Sequence, residues 1–155
     1  MLALQLDRTI VRQFMGQLLR EPIFDVFEVR SVDVVTTTRT NFDGGIVTDE
    51  SEDEQKKQSF ISWKALRPLV YEIIKASPKP RTIKIVFSYH AEGLVDIHTN
   101  AAALFLNLVY ENDTVLFTTG VAQKEFIFEK TLDIAWDEWI SAFFANAGLE
   151  VSERE

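Results

Sequence analysis

The densest set of reactive side chains in the sequence is His90, Glu92, Asp96 and His98, an H-x-E-x₃-D-x-H arrangement. Imidazole and carboxylate donors of this kind suit zinc, manganese or ferrous iron, and a metal held there would make the chain a small metal-assisted enzyme or a metal-binding protein. The spacing matches no established metal signature, so the competing description is a strand ending at His90 followed by a polar loop. A second set is basic. Lys64, Arg67, Tyr71 and Lys75 are separated by three, four and four positions, which on a helix aligns three cations and a phenol opposite Leu66, Val70 and Ile73. Arg8, Arg12 and Arg20 form a similar row upstream. Two helices with such faces can contact the phosphates of nucleic acid while an acidic body repels the rest of the polymer. The plainer role for these cations is to pair with acidic segments of the same chain.

Other chemistry is excluded by composition. None of the 155 residues is cysteine, which removes disulfides, thiolate metal sites and a thiol nucleophile. The six glycines include no pair at phosphate-loop or dinucleotide-fingerprint spacing, and no G-x-S-x-G occurs. Asp49-Glu50-Ser51-Glu52-Asp53 spaces its oxygens as a calcium loop begins, but Glu54 stands where the turn needs glycine. No cofactor is expected. The N-terminus lacks a basic and apolar leader and no stretch is long and apolar enough for a membrane span, so a cytoplasmic location away from membranes is expected.

Charge is unevenly distributed over a net −8. Residues 1–42 are balanced, 43–54 carry six acids and no base, 55–84 sum to +7 and 85–155 to −9. The basic block coincides with the second predicted helix, and the acidic stretch at about 43–58 reads as a surface loop.

The elements that must position these residues follow from periodicity. Leu2, Leu4 and Leu6 alternate as a first strand, and Asp7 is placed to cap a helix whose stripe is Ile10, Val11, Phe14, Met15, Leu18 and Leu19, ending at Glu21-Pro22. Phe24 to about Thr40 is dense in β-branched residues and predicts one long strand or two short ones. Asn41-Phe42-Asp43-Gly44-Gly45 has hairpin-turn chemistry. Ser62 can cap a helix from Trp63 to about Ala76, with Pro68 predicting a kink or a later start near Arg67. Ile83, Ile85, Phe87 and Tyr89 alternate as a strand. Residues 91–103 fit neither period. Leu104–Tyr110, Val115–Val121 and Glu125–Phe128 predict a three-stranded meander, turning at Asn112-Asp113 and at Gly120 to Lys124. A last helix over Asp133–Ala147, capped by Thr131 or Asp133 and closed by Gly148, turns Trp136, Trp139, Ile140, Phe143 and Phe144 inward. The whole chain, 1–155, is thus expected to be one α+β domain, a mostly antiparallel sheet covered by two or three helices.

Several words of the sequence carry a resemblance: Met1-Leu2-Ala3-Leu4, Ser62-Trp63-Lys64-Ala65-Leu66-Arg67-Pro68, Lys84-Ile85-Val86-Phe87, Leu104-Phe105-Leu106-Asn107, Thr118-Thr119-Gly120 and Ala135-Trp136-Asp137-Glu138. Together they resemble a family of short bacterial proteins known only as a domain of unknown function. That resemblance implies a small intracellular protein and brings no activity or site residue. The order of elements is similar to a single domain of the DNA sliding clamp, whose helices turn basic residues toward the duplex. The expectation is therefore a non-enzymatic interaction module for a protein or nucleic-acid partner. Nucleic acid would be held by Arg8, Arg12, Lys64, Arg67, Tyr71 and Lys75. An exposed edge strand in the 104–128 meander can add pairing with a second copy.

Overall fold

The computed structural model describes residues 1–47, 59–76 and 79–154. The acidic stretch from 48 to 58, with the calcium-like Asp49–Asp53, and Ser77-Pro78 lie outside them. Seven strands form a single antiparallel sheet: β1 (Ala3–Leu6), β2 (Glu28–Val35), β3 (Arg39–Asp43), β4 (Thr82–Ser88), β5 (Ala101–Glu111), β6 (Thr114–Gln123) and β7 (Val151–Glu153). Their order across the sheet is β3-β2-β4-β5-β6-β1-β7. The helices are α1 (Val11–Arg20), α2 (Trp63–Lys75), the one-turn α3 (Leu94–Ile97) and α4 (Thr131–Asn146). The α+β class and antiparallel sheet are as the sequence predicts. No described helix is long and apolar enough to cross a membrane.

Register places one apolar layer on one face. Phe87 pairs with Leu106, Leu106 with Thr119, and Leu108 with Phe117, which pairs with Leu4, so the buried positions of four neighbouring strands point the same way. All three long helices pack there. Phe14 of α1 meets Phe117, Trp63 of α2 meets Phe87, and Phe144 of α4 meets Phe117 at ring distances of 5.8, 5.4 and 4.7 Å. Among the described residues no helix lies on the other face, where Lys84, Val86, Phe105, Asn107, Val109, Leu116 and Thr118 alternate with the core positions.

Local chemistry explains where elements begin and end. The Asp7 carboxylate accepts the N–H and hydroxyl of Thr9, capping the 3₁₀ turn Arg8–Ile10 that leads into α1. Glu21, extended before Pro22, stops it. The Ser62 hydroxyl accepts from the Ala65 N–H, and α2 runs unbroken through Pro68. The buried Trp63 ring donates its N–H to the Leu18 carbonyl, holding the start of α2 against the end of α1. Asn112 and Asp113, both at positive φ, make the primed turn between β5 and β6. Gly148 at φ +70° closes α4, with Leu149 donating back to Phe144 and Gly148 to Ala145.

Some expectations are corrected. The β2–β3 turn is Thr36-Thr37-Thr38, not Asn41 to Gly45: Asn41 to Asp43 belong to β3, and Gly44 serves close backbone approach rather than a turn. Phe24 opens no strand, because Pro22 sets a 3₁₀ turn over Pro22–Phe24. Glu125 to Phe128 is a loop, and Gly120 lies inside β6. Thr131 starts α4 without capping it, its hydroxyl being within 3.1 Å of His98 Nε2 instead. Strands β5 and β6 are central and fully paired, so the sheet edges are β3 and β7.

Candidate nucleic-acid interface

Six residues were expected to form the basic face, and the fold separates them. Arg67 is half-buried and gives both ends of its guanidinium to Asp25, Nε to Oδ1 at 2.9 Å and Nη2 to Oδ2 at 3.1 Å. A bidentate pair of this kind fixes α2 to the turn after α1 and leaves little of the fork for a phosphate. Tyr71 is half-buried against the core, with Lys75 Nζ 5.9 Å from its ring. Lys64 and Lys75 are exposed at opposite ends of α2.

Arg8 and Arg12 fare differently. They line a groove of about 690 Å³ between α1, the last turn of α2 and β4. Its floor is apolar, made of Val11, Met15, Leu19, Ile74 and Ile83, and its rim holds the exposed Arg8, Arg12 and Lys79. Amphipathic spacing on α1 makes this arrangement: Val11, Met15 and Leu19 fall on the flank next to α2, while Arg8 and Arg12, one turn apart, fall just outside it. Lys79 arrives from the segment after α2 and pairs with Asp113 of the β5–β6 turn, whose carboxylate also accepts the Tyr110 hydroxyl at 3.1 Å.

The electrostatics show these charges act on one another. Hydrogen bonds from Lys79 and then Tyr110 hold the Asp113 carboxyl below its ordinary value, with the Arg8 charge adding to the effect. The same bond to Asp113 raises the Lys79 ammonium, and Arg12 opposes it by like-charge repulsion. Burial, followed by the bond to Asp113, raises the Tyr110 phenol. Three cations against one carboxylate leave the rim positive on a chain of net charge −8. In the sequence Lys79 is only one cation of the basic 55–84 block. Its partner lies 34 positions away, a distance no local pattern spans.

The histidine and carboxylate cluster opens instead of closing. His90 Nδ1 lies 3.7 Å from Glu92, and its ring stacks on Tyr89. His98 points elsewhere: its Nδ1 accepts the Asn100 N–H at 3.0 Å and its Nε2 meets the Thr131 hydroxyl. The residues between them form a 3₁₀ turn and the one-turn α3, which carries Asp96 away. Among the described residues no three of the donor side chains come together as a metal site.

One carboxylate at this end of the sheet is strained by its surroundings. Glu28 opens β2, and burial first, then the nearby Glu92 charge, raise its carboxyl above the ordinary value, against smaller opposing effects of His90 and Arg30. A raised folded-state value means that the ionised form costs the native state stability at neutral pH, a cost removed as pH falls through the folded and then the unfolded value. Glu28→Gln is therefore expected to melt higher than wild type at pH 7, with the gap narrowing as pH falls toward about 4.5. Melting curves across pH check this, and a variant less stable at pH 7 would refute it.

The model of a family described as a family of unknown function (DUF5721) matches residues 17–152. No curated protein and no solved structure matches the chain.

Proposed function

The chain belongs to that family of unknown function, DUF5721, and from this premise we propose that it is a non-enzymatic interaction module that holds nucleic acid by its phosphates at the α1–α2 groove. The observation that carries the reading is the gathering of Arg8, Arg12 and Lys79 on one apolar-floored groove of an otherwise acidic molecule. Such a surface attracts a polyanion locally while the rest of the body limits contact to that site. Lys75, exposed at the adjoining end of α2, extends the contact. Ile74, Lys79 and Asp113 lie within the residues that match the family, whereas Arg8 and Arg12 precede them. The same reading places the module in the cytoplasm, where a cysteine-free chain forgoes nothing.

The test is fluorescence anisotropy of labelled single-stranded and duplex DNA across a salt series. Wild type is expected to bind at low salt with a log–log slope of roughly −3, as three to four neutralised phosphates require. Arg8→Glu with Arg12→Glu is expected to lower affinity roughly tenfold or more at unchanged melting temperature, while Arg8→Lys with Arg12→Lys retains most of it. Absent binding at low salt, or equal binding by the double glutamate variant, would overturn the reading.

A further inference from the structure

The α1–α2 groove does not end at Lys79. A second concavity of about 600 Å³ shares Lys79, Pro80, Tyr110 and Asp113 with it and runs across the ends of β2, β4 and β5. Its cations are Arg39, Lys79, Arg81 and Lys84, against the carboxylates of Glu111 and Asp113. Arg81 and Lys84 are exposed, and among the described residues neither is in an ion pair. Arg39, its side chain 73% exposed, lies 3.6 Å from Asp33. The two hollows belong to opposite faces of the sheet. Ile83 floors the first from the helix-covered face and its neighbour Lys84 lines the second from the open face, because successive strand residues point opposite ways. One band of positive charge therefore starts beside α1, rounds the strand ends at Lys79 and finishes at Arg39.

The course of this band and the surface beneath it select the form of the polymer. Lys79 and Lys84 are five residues apart in sequence, so their Cα atoms lie no more than about 18 Å from one another. A ligand touching both must pass from one face of the sheet to the other over about that distance, roughly five base pairs of duplex at ~3.4 Å each. Duplex DNA resists bending over about 150 base pairs, so a turn on this scale is closed to it, whereas a single strand can follow. The floor makes the same choice. Half-buried Met15, Ile74 and Pro80 put apolar surface directly under the cations. A duplex keeps its bases stacked inside and would lay phosphates over that surface, while a single strand sets bases on apolar side chains and phosphates on the rim. A mononucleotide would fill one hollow and leave the cations of the other unneutralised. We propose that the ligand of the groove is a single-stranded polynucleotide, its bases on the apolar floor and its phosphates following Arg8, Arg12, Lys79, Arg81, Lys84 and Arg39 round the end of the sheet. This form and path rest on the α1–α2 groove being the phosphate-binding surface inferred above.

Anisotropy titrations of the full chain with oligothymidine, oligouridine, an abasic strand of equal length and a hairpin duplex test this. A strand of about 15 nucleotides is expected to bind at least roughly tenfold tighter than the hairpin, and tighter by a similar factor than the abasic strand, which carries the same phosphates. Oligothymidine and oligouridine, run in parallel, tell a DNA ligand from an RNA ligand, and preference for either supports a single strand. A strand of about 5 nucleotides, filling the groove alone, should keep the salt slope of roughly −3, and the longer strand should steepen it to roughly −5, since three further phosphates are neutralised at about 0.7 each. Arg81→Gln with Lys84→Gln should make the longer strand's slope shallower by about 1.4 and leave the melt unchanged, because both side chains are exposed and unpaired. The proposal is overturned by hairpin or abasic strand binding as tightly as the single strand, or by an unchanged slope in that variant. If strand and hairpin bind alike and both are lost with Arg8→Glu and Arg12→Glu, the groove still holds phosphates and only the single-stranded path falls. If nothing binds at low salt, both fall.

Discussion

Phe24→Ala is expected to lower stability by about 3–5 kcal/mol. The side chain is wholly buried in the 3₁₀ turn after α1, and its ring lies within 5.2–6.4 Å of Phe14, Phe27, Phe87, Phe117, Phe143 and Phe144. Those six come from α1, the turn before β2, the strands β4 and β6, and α4. One ring therefore joins two helices to the sheet, and its loss leaves a cavity whose walls are rigid rings that cannot easily collapse inward. The stacked and edge contacts add roughly 0.5–1.5 kcal/mol per pair beyond buried area, which places this substitution at the upper end of the range. A domain of this size loses roughly 2–4 °C of melting temperature per kcal/mol, so a drop of roughly 10–15 °C is expected in calorimetry. Against a typical total of about 5–15 kcal/mol, such a loss is a large share of the stability. A loss under ~1 kcal/mol in denaturant titration would show that the cluster repacks around the gap.

The second large effect is expected from the smallest substitution. A Cβ at Gly44 would stand 1.8 Å from the Val29 carbonyl oxygen and 2.7 Å from its carbon, with the Arg30 oxygen at 3.2 Å. All three are backbone atoms that cannot swing aside. Gly44 is also fixed on both sides, donating to the Arg30 carbonyl at 2.9 Å and accepting the Ile61 N–H at 2.8 Å, while Val29 donates to the Ile61 carbonyl. Gly44→Ala must therefore push the chain off β2 at its bulge, and with it the stack of Arg30 on Phe60, where the guanidinium lies 3.7 Å from the ring centre. Overpacking against fixed atoms predicts a loss of about 3 kcal/mol or more. Gly120→Ala is the matched control. Its added Cβ would meet only Phe105 side-chain atoms at 3.8 Å, an ordinary contact, so a change of about 1 kcal/mol or less, in the stabilising direction, is expected. If the two variants melted together, the close approach at Gly44 would not constrain the fold.

The same glycine shows where sequence reading stops. Asp43-Gly44 is strong turn chemistry, yet Thr36-Thr37-Thr38 makes the turn, because β2 and β3 pair Val32 with Phe42 and Val34 with Thr40 on the core face. Strand register is set by which faces are buried, and burial is a property of the assembled sheet. The basic row on α2 has the same history. Its helical spacing was correct, but Arg67 faces Asp25 across 42 positions and spends its fork there, while Lys79, which no spacing singled out, joins Arg8 and Arg12 at the groove.

Periodicity, caps and terminators determined by themselves the three long helices, most strands, the α+β class and the exclusion of thiol and phosphate-loop chemistry, since these depend on residues within a few positions of one another. Tertiary structure alone decided the strand order, the short closing strand β7, the dispersal of His90, Glu92, Asp96 and His98, and the groove. Each of these rests on contacts between residues distant along the chain. The free energy of such contacts comes from burial and hydrogen bonding across elements, and a linear pattern carries no record of which elements will meet.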